Sequence, residues 1–188
     1  MRAGMNAVAL AAVVAMLAGC TPDEPSPRSN VTLVGINGQT PLWSDVLHHG
    51  EDEIAGTPDD WIPEDGVVVR FANSPLQDQL EITENGPFGL VTFSEYRISF
   101  MTQDGAEVPS VGGGLHATVA TGDTLEIGVV AVPALLKMDS PLIELRGGSE
   151  ILSTAHLEFW GVERTSGDEV YVDGNIVVNF GDFGDVTD

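Results

Sequence analysis

The sequence predicts an all-β fold, an antiparallel β-sandwich of about seven strands with one short helix near 141–145. Three observations lead there. From Gly66 onward apolar residues recur with period two, the spacing of half-buried strands. Turn residues such as Gln103-Asp104-Gly105, Thr121-Gly122-Asp123 and Thr165-Ser166-Gly167-Asp168 separate these runs. No stretch carries the 3.6-residue period of a long amphipathic helix, and no internal repeat points to a propeller or solenoid.

In chain order, Met1 to Gly19 has the parts of an export signal. Arg2 is its only charge, followed by an apolar run from Ala7 to Ala18 that is too short to span a bilayer. Leu17-Ala18-Gly19-Cys20 resembles a bacterial lipobox, so residues 1–19 are expected to be a cleaved signal peptide and Cys20 to carry lipid. Residues 20–30 then form the lipidated cysteine and a Pro-rich tether. About ten extended residues hold a domain roughly 30 Å from its anchor. Thr21, rather than aspartate, follows the cysteine, a pattern resembling that of lipoproteins sorted to the outer membrane of a Gram-negative bacterium. Cys20 is the only cysteine, so the body has no internal disulfide and relies on an apolar core.

Residues 31–188 read as a single domain. Val31 to Ile36 is a short strand closed by Asn37-Gly38. The stretch 39–66 reads as a long irregular segment, with Leu42, Trp43, Val46 and Leu47 forming one helical turn. Val67, Val69 and Phe71 share one face of a strand that Asn73-Ser74-Pro75 ends, and a polar stretch runs on to Pro87. Leu90 to Met101 changes parity midway: Val91 and Phe93 are odd, Tyr96, Ile98 and Phe100 even. A β-bulge near Ser94-Glu95 brings both sets to the core. Leu115 to Val119 and Leu125 to Ala131 read as a pair joined by the turn at Gly122. Ser140-Pro141 reads as a helix start, with serine as N-cap and proline at the first helical position. Ile151 to Val162 and Val170 to Phe180 form the last hairpin, and Gly174 marks a bulge or a close backbone approach. Strand number and turn spacing indicate an immunoglobulin-like sandwich, with a barrel as the competing architecture.

Tyr96-Arg97-Ile98-Ser99-Phe100, Leu145-Arg146-Gly147-Gly148, Ile151-Leu152-Ser153-Thr154 and Val177 to Asp185 (VVNFGDFGD) together resemble a family of small bacterial lipoproteins without an assigned activity. The likeness spans about Gly66 to Asp185. It implies a β-rich body and an envelope location, and it implies no reaction.

The charge balance bears on partners. With 29 acidic and 7 basic residues the net charge is −22, and loss of Arg2 with the leader makes the remainder more negative. Such a surface repels nucleic acid and anionic headgroups, leaving the lipid on Cys20 as the membrane contact and a protein or envelope component as the expected partner. Solubility in a salty habitat is the plainer reading of the same composition.

Candidate sites are few. Asp45, His48, His49 and Glu51, followed by Asp52 and Glu53, mix imidazole and carboxylate ligands suited to zinc or similar ions. Asp104, Asp123, Asp182 and Asp185 fall at expected turns or the terminus, where oxygen-rich loops hold calcium, although Asp-Gly pairs also simply make turns. No cofactor is otherwise expected. No G-x-S-x-G elbow is present, and no serine precedes Lys137 by three residues. A serine–histidine–acid triad built on His116 or His156 is the remaining route to hydrolysis, and both histidines have outward parity. Trp43, Trp61 and Trp160 are candidate interface residues, with Trp160 expected to lie under the 39–66 segment beside the other two. A non-enzymatic binding or structural module is the preferred reading, followed by a cation-binding module and then an envelope hydrolase.

Overall fold

The structure, a computed structural model, describes residues 29–54, 56–76 and 89–183. The lipobox, Cys20, most of the tether, the polar stretch before Pro87 and Asp185 lie outside the described residues. The described chain is all-β, with eight strands: β1 (Ser29–Ile36), β2 (Leu42–Asp45), β3 (Asp65–Pro75), β4 (Val91–Thr102), β5 (Val111–Val119), β6 (Thr124–Val132), β7 (Glu150–Glu163) and β8 (Glu169–Gly181). They make a three-stranded sheet in the order β1-β3-β6 and a five-stranded sheet in the order β2-β8-β7-β4-β5. The larger sheet curls into a half-barrel.

The alternation sets the inner faces. Val67, Val69 and Phe71 of β3 are buried, as are Leu157 and Phe159 of β7 and Val172, Ile176, Val178 and Phe180 of β8. The bulge expected in β4 is present. The register of β4 with both neighbours shifts between Phe93 and Glu95, so Val91 and Phe93 before it and Tyr96 and Ile98 after it all face inward. The sheets meet at three phenylalanines. Phe71 stacks on Phe93 at 4.6 Å and meets Phe159 edge-on at 5.1 Å. The Tyr96 hydroxyl adds a polar tie between the sheets, donating to the Val130 carbonyl of β6 at 3.3 Å.

Three expectations need correction. Leu42, Trp43, Val46 and Leu47 do not form a helical turn: Leu42–Asp45 is β2, pairing parallel with Val178 to Gly181 of β8. Four residues cannot reveal a period, and pairing with a strand far along the chain is not visible locally. β2 adds an eighth strand and makes the larger sheet mixed rather than purely antiparallel. The strands flanking the turn at Gly122 are not partners, because β5 pairs with β4 and β6 with β3, so the chain crosses from one sheet to the other. Alternation reports which face is buried and is silent on the partner. The strand of Val67 ends at Pro75, within the expected Asn73-Ser74-Pro75, and buried Asn73 donates through Nδ2 to the carbonyls of Gly89 and Val119. Ser140, finally, caps no helix N–H. Its hydroxyl donates to the Glu144 carboxylate, and Pro141 is itself the cap of a single 3-10 turn, Leu142–Leu145. Another 3-10 turn, Ala134–Met138, was not foreseen.

Gly174 resolves as a close approach. The β7–β8 ladder runs through it unbroken, and a Cβ there would lie 3.0 Å from Ile36 and 3.2 Å from Leu33 of β1.

Because Phe71 touches both partners in the opposite sheet, Phe71→Ala opens the centre of the core. Urea denaturation is expected to show a loss of about 3–5 kcal/mol. A loss under about 1 kcal/mol would show that this contact does not hold the sheets together.

Candidate functional site

The segment between β2 and β3 is held from beneath by the chain's single lysine. Lys137, in the 3-10 turn Ala134–Met138, is 0% exposed. Its ammonium donates to the Asp45 carbonyl at 2.6 Å, the Pro63 carbonyl at 2.7 Å and Asp65 Oδ2 at 2.6 Å, using all three protons. Asp65 Oδ2 also accepts the hydroxyl of buried Ser44 at 2.7 Å. Burial lowers the Lys137 pKa from its ordinary value of 10.5, opposed by the hydrogen bond and charge of Asp65 and then by Asp45 and Glu64. A serine, a lysine and an aspartate thus meet, but the serine donates to the carboxylate and lies sealed in the interior with the lysine. The arrangement is structural.

Above it, 46–64 is a loop closed by the bridge His48–Trp61, whose backbone groups exchange bonds of 2.8 and 3.0 Å. The His48 ring stacks on Trp61 at 4.8 Å, and its Nδ1 accepts the Gly50 N–H. The acids of this loop make its turns: Asp52, Asp59 and Asp60 accept the N–H groups of Ile54, Glu51 and Gly56. The Thr57 hydroxyl and then the Glu51 N–H hold the Asp59 carboxyl below the ordinary carboxylate range.

Of the metal candidates, the structure brings His49 and Asp182 together. His49 Nε2 lies 3.0 Å from Asp182 Oδ1, and Asp182 Oδ2 accepts the Gly147 N–H. Asp45 Oδ1 takes the N–H groups of Leu47 and Phe183, and Glu51 is exposed. Asp104 and Asp123 sit at separate turns and accept from Ala106 and Thr124. Among the described residues no three His, Cys, Asp or Glu side chains converge on one point. His156 lies opposite Ser99 in the ladder, but its Nδ1 is 3.0 Å from Asn175 and its Nε2 3.7 Å from Asp173, so both ring nitrogens turn toward β8. His116 is exposed.

The tryptophans do not gather, which corrects the expectation that Trp160 lies under the 39–66 segment. Trp160 packs on Tyr171, its partner in β8, at 5.7 Å and 49°. Trp43, 62% exposed, meets Phe183 edge-on at 5.3 Å near the other end of β8. Tyr171 and Asn179, the partners of the two tryptophans, are about 26 Å apart along the strand.

These side chains share the outer face of the five-stranded sheet, where the register orders them into rows. At one end, Trp43 of β2, Asn179 of β8 and Leu152 of β7 lie abreast, next to a row of Val177, Thr154 and Met101. Trp43, Leu152, Val177 and Met101 are all exposed, Met101 at 70%. At the other end one row reads Tyr171, Trp160, Glu95, Gly114 and the next Asp173, Glu158, Arg97, Gly112. The alternation in β7 and β8 sets Trp160 and Glu158 opposite in parity to buried Leu157 and Phe159, and Tyr171 and Asp173 opposite to buried Val172. The neighbours on β4 and β5 needed the register. No known protein family, curated protein or solved structure matches this chain.

Lys137→Met leaves partly buried Asp65 and two carbonyls without their cation, and is expected to cost about 3 kcal/mol in chemical denaturation. Because the folded-state pKa is lowered, the unfolded chain binds more protons below 10.5. The contribution of Lys137 to stability therefore rises with pH toward 10.5, and the gap between wild type and Lys137→Met widens over that range. A gap that narrows there would refute the assignment.

Proposed function

We propose that this chain is a lipid-anchored, non-enzymatic binding module of the bacterial cell envelope, tethered through Cys20 and docking a protein partner on the outer face of its larger sheet. The observation that carries this reading is the apolar end of that face, where Trp43, Met101, Leu152 and Val177 stand exposed within two adjacent rows. Exposed apolar side chains grouped in this way mark interaction surfaces, and tryptophan is the residue most enriched at binding hot spots. Exposed Glu150 and Asp104 flank the group on a chain of net charge −22. The partner that fits has an apolar centre and a basic rim.

For the body we propose an immunoglobulin-like sandwich. In such domains strands A, B and E share one sheet, and G, F, C and C′ the other. The orders β1-β3-β6 and β8-β7-β4-β5 agree with that arrangement strand for strand, and β2 adds at the edge beside β8. Phe71, Phe159 and Phe93 then occupy the strands that in antibody domains carry the inter-sheet disulfide and the tryptophan packed on it. The outer-membrane location rests on Leu17 to Thr21 and is part of the same proposal.

The test places a photo-crosslinking residue at position 101 in the full chain, with position 126 on the smaller sheet as control. A crosslinked protein specific to position 101 is then purified and titrated against the full chain. Binding is expected to weaken about tenfold with Leu152→Glu and to fall with rising sodium chloride. No product, a homodimer only, or a partner insensitive to Leu152→Glu would overturn the docking surface. For the anchor, Cys20→Ala is expected to move the protein from the membrane to the soluble fraction. Retention in the membrane would overturn lipidation.

A further inference from the structure

At the opposite end of the same face, and independently of the protein-docking surface, the geometry points to a binding site for a neutral oligosaccharide formed by Tyr171, Trp160, Glu95 and Arg97 around a depression over Gly112 and Gly114.

The depression, open to solvent, holds about 560 Å³ and is lined by residues 94–97 of β4, by Ser110 and by 111–114 of β5, with Trp160 and Tyr171 next in the row beyond Glu95 rather than in its lining. It exists because two outward positions of β5 have no side chain. Gly112 has a packing reason, since a Cβ there would sit 3.1 Å from the Tyr96 carbonyl. Inward-facing Gly113 has another, because the Tyr96 ring occupies the place its Cβ would take. Gly114 has neither. A Cβ at Gly114 meets nothing nearer than the Ser94 carbonyl at 3.9 Å, and its φ is not in the left-handed region. The fold tolerates a side chain there, so the bare position keeps a surface open.

What surrounds that surface matches a sugar. Glu95 stands between Gly114 and Trp160, and Arg97 between Gly112 and Glu158. Trp160 and Tyr171, packed on each other at 5.7 Å, offer apolar ring surface for the C–H face of a pyranose. Glu95 and Arg97, exposed beside them, offer acceptors and donors for its hydroxyls. The row from Tyr171 to Gly114 covers three strand spacings, about 14 Å, the length of two to three sugar rings. Charge selects against anionic sugars: Glu95, Glu158 and Asp173 surround one arginine on a chain of net charge −22. A peptide adding to β5, the edge strand among the described residues, would leave Trp160, two strands inward, without a role.

The purified full chain is screened on neutral gluco-, manno-, galacto- and N-acetylglucosamine tri- and tetrasaccharides, with sialylated and sulfated counterparts as separate arms. Hits are titrated by tryptophan fluorescence and calorimetry. Binding to a neutral oligosaccharide is expected, weakened about tenfold or more by Trp160→Ala and by Glu95→Gln. Gly114→Val fills the depression, and is expected to abolish binding while the thermal midpoint stays at the wild-type value. Leu152→Glu, at the other end of the sheet, is expected to leave sugar binding unchanged, so the two surfaces fail or stand separately. The assignment is overturned by three results: no neutral sugar bound at millimolar concentration, binding confined to anionic sugars, or binding that survives both Gly114→Val and Trp160→Ala.

Discussion

The contact of Phe71 with Phe93 and Phe159 is the constraint on which the rest of this domain depends. A chain whose only cysteine is Cys20 has no internal disulfide, so apolar packing has to close its two sheets. Each of these rings is fully buried, and they belong to the middle strand of the small sheet and to adjacent inner strands of the large one. Burying a phenylalanine contributes about 1.5–3 kcal/mol, and edge-to-face contact adds to that. The bulge at Ser94 serves the same core, because without it either Phe93 or the set Tyr96 and Ile98 would turn outward.

Lys137 does a different job. A buried ammonium is costly to desolvate, and the cost is offset here only because every proton has an oxygen. The three oxygens come from the end of β2, the loop before β3 and the first residue of β3. One side chain therefore joins both ends of the segment that has least regular structure. An apolar residue of similar size would fill the space and leave the path of that segment unspecified. The pairing of β2 with β8 and the bridge between His48 and Trp61 complete the attachment.

With the core closed and the loop held, the outer face of the large sheet has two ends of different chemistry, the two surfaces proposed for recognition. One end is apolar around Trp43 and Leu152. The other alternates aromatic and charged side chains and then opens into the glycine-floored depression. Asn175 and His156, hydrogen-bonded to each other across the β7–β8 pair, stand between them. The acidic surface favours partners that are neutral or basic at either end.

Much of the fold was legible because alternation is a local signal. Val67, Val69 and Phe71, or Leu157 and Phe159, declare their buried face without reference to any other strand, and the parity change at Ser94 announced its bulge. The Asp-Gly turns were likewise readable as chain-reversing chemistry, whereas the turn-making role of the acids in the 46–64 loop was not. What the tertiary structure decided was partnership. Nothing near Leu42 says that it will lie parallel to Val178, and nothing at Gly122 says that the strands on either side belong to different sheets, because ladder partners are chosen by global packing. The same holds for the candidate surfaces. Trp160 and Tyr171 were outward by parity, but register alone set Glu95 and Gly114 beside them, and only the closed core turned the chain's single lysine inward to bind three oxygens far apart in sequence.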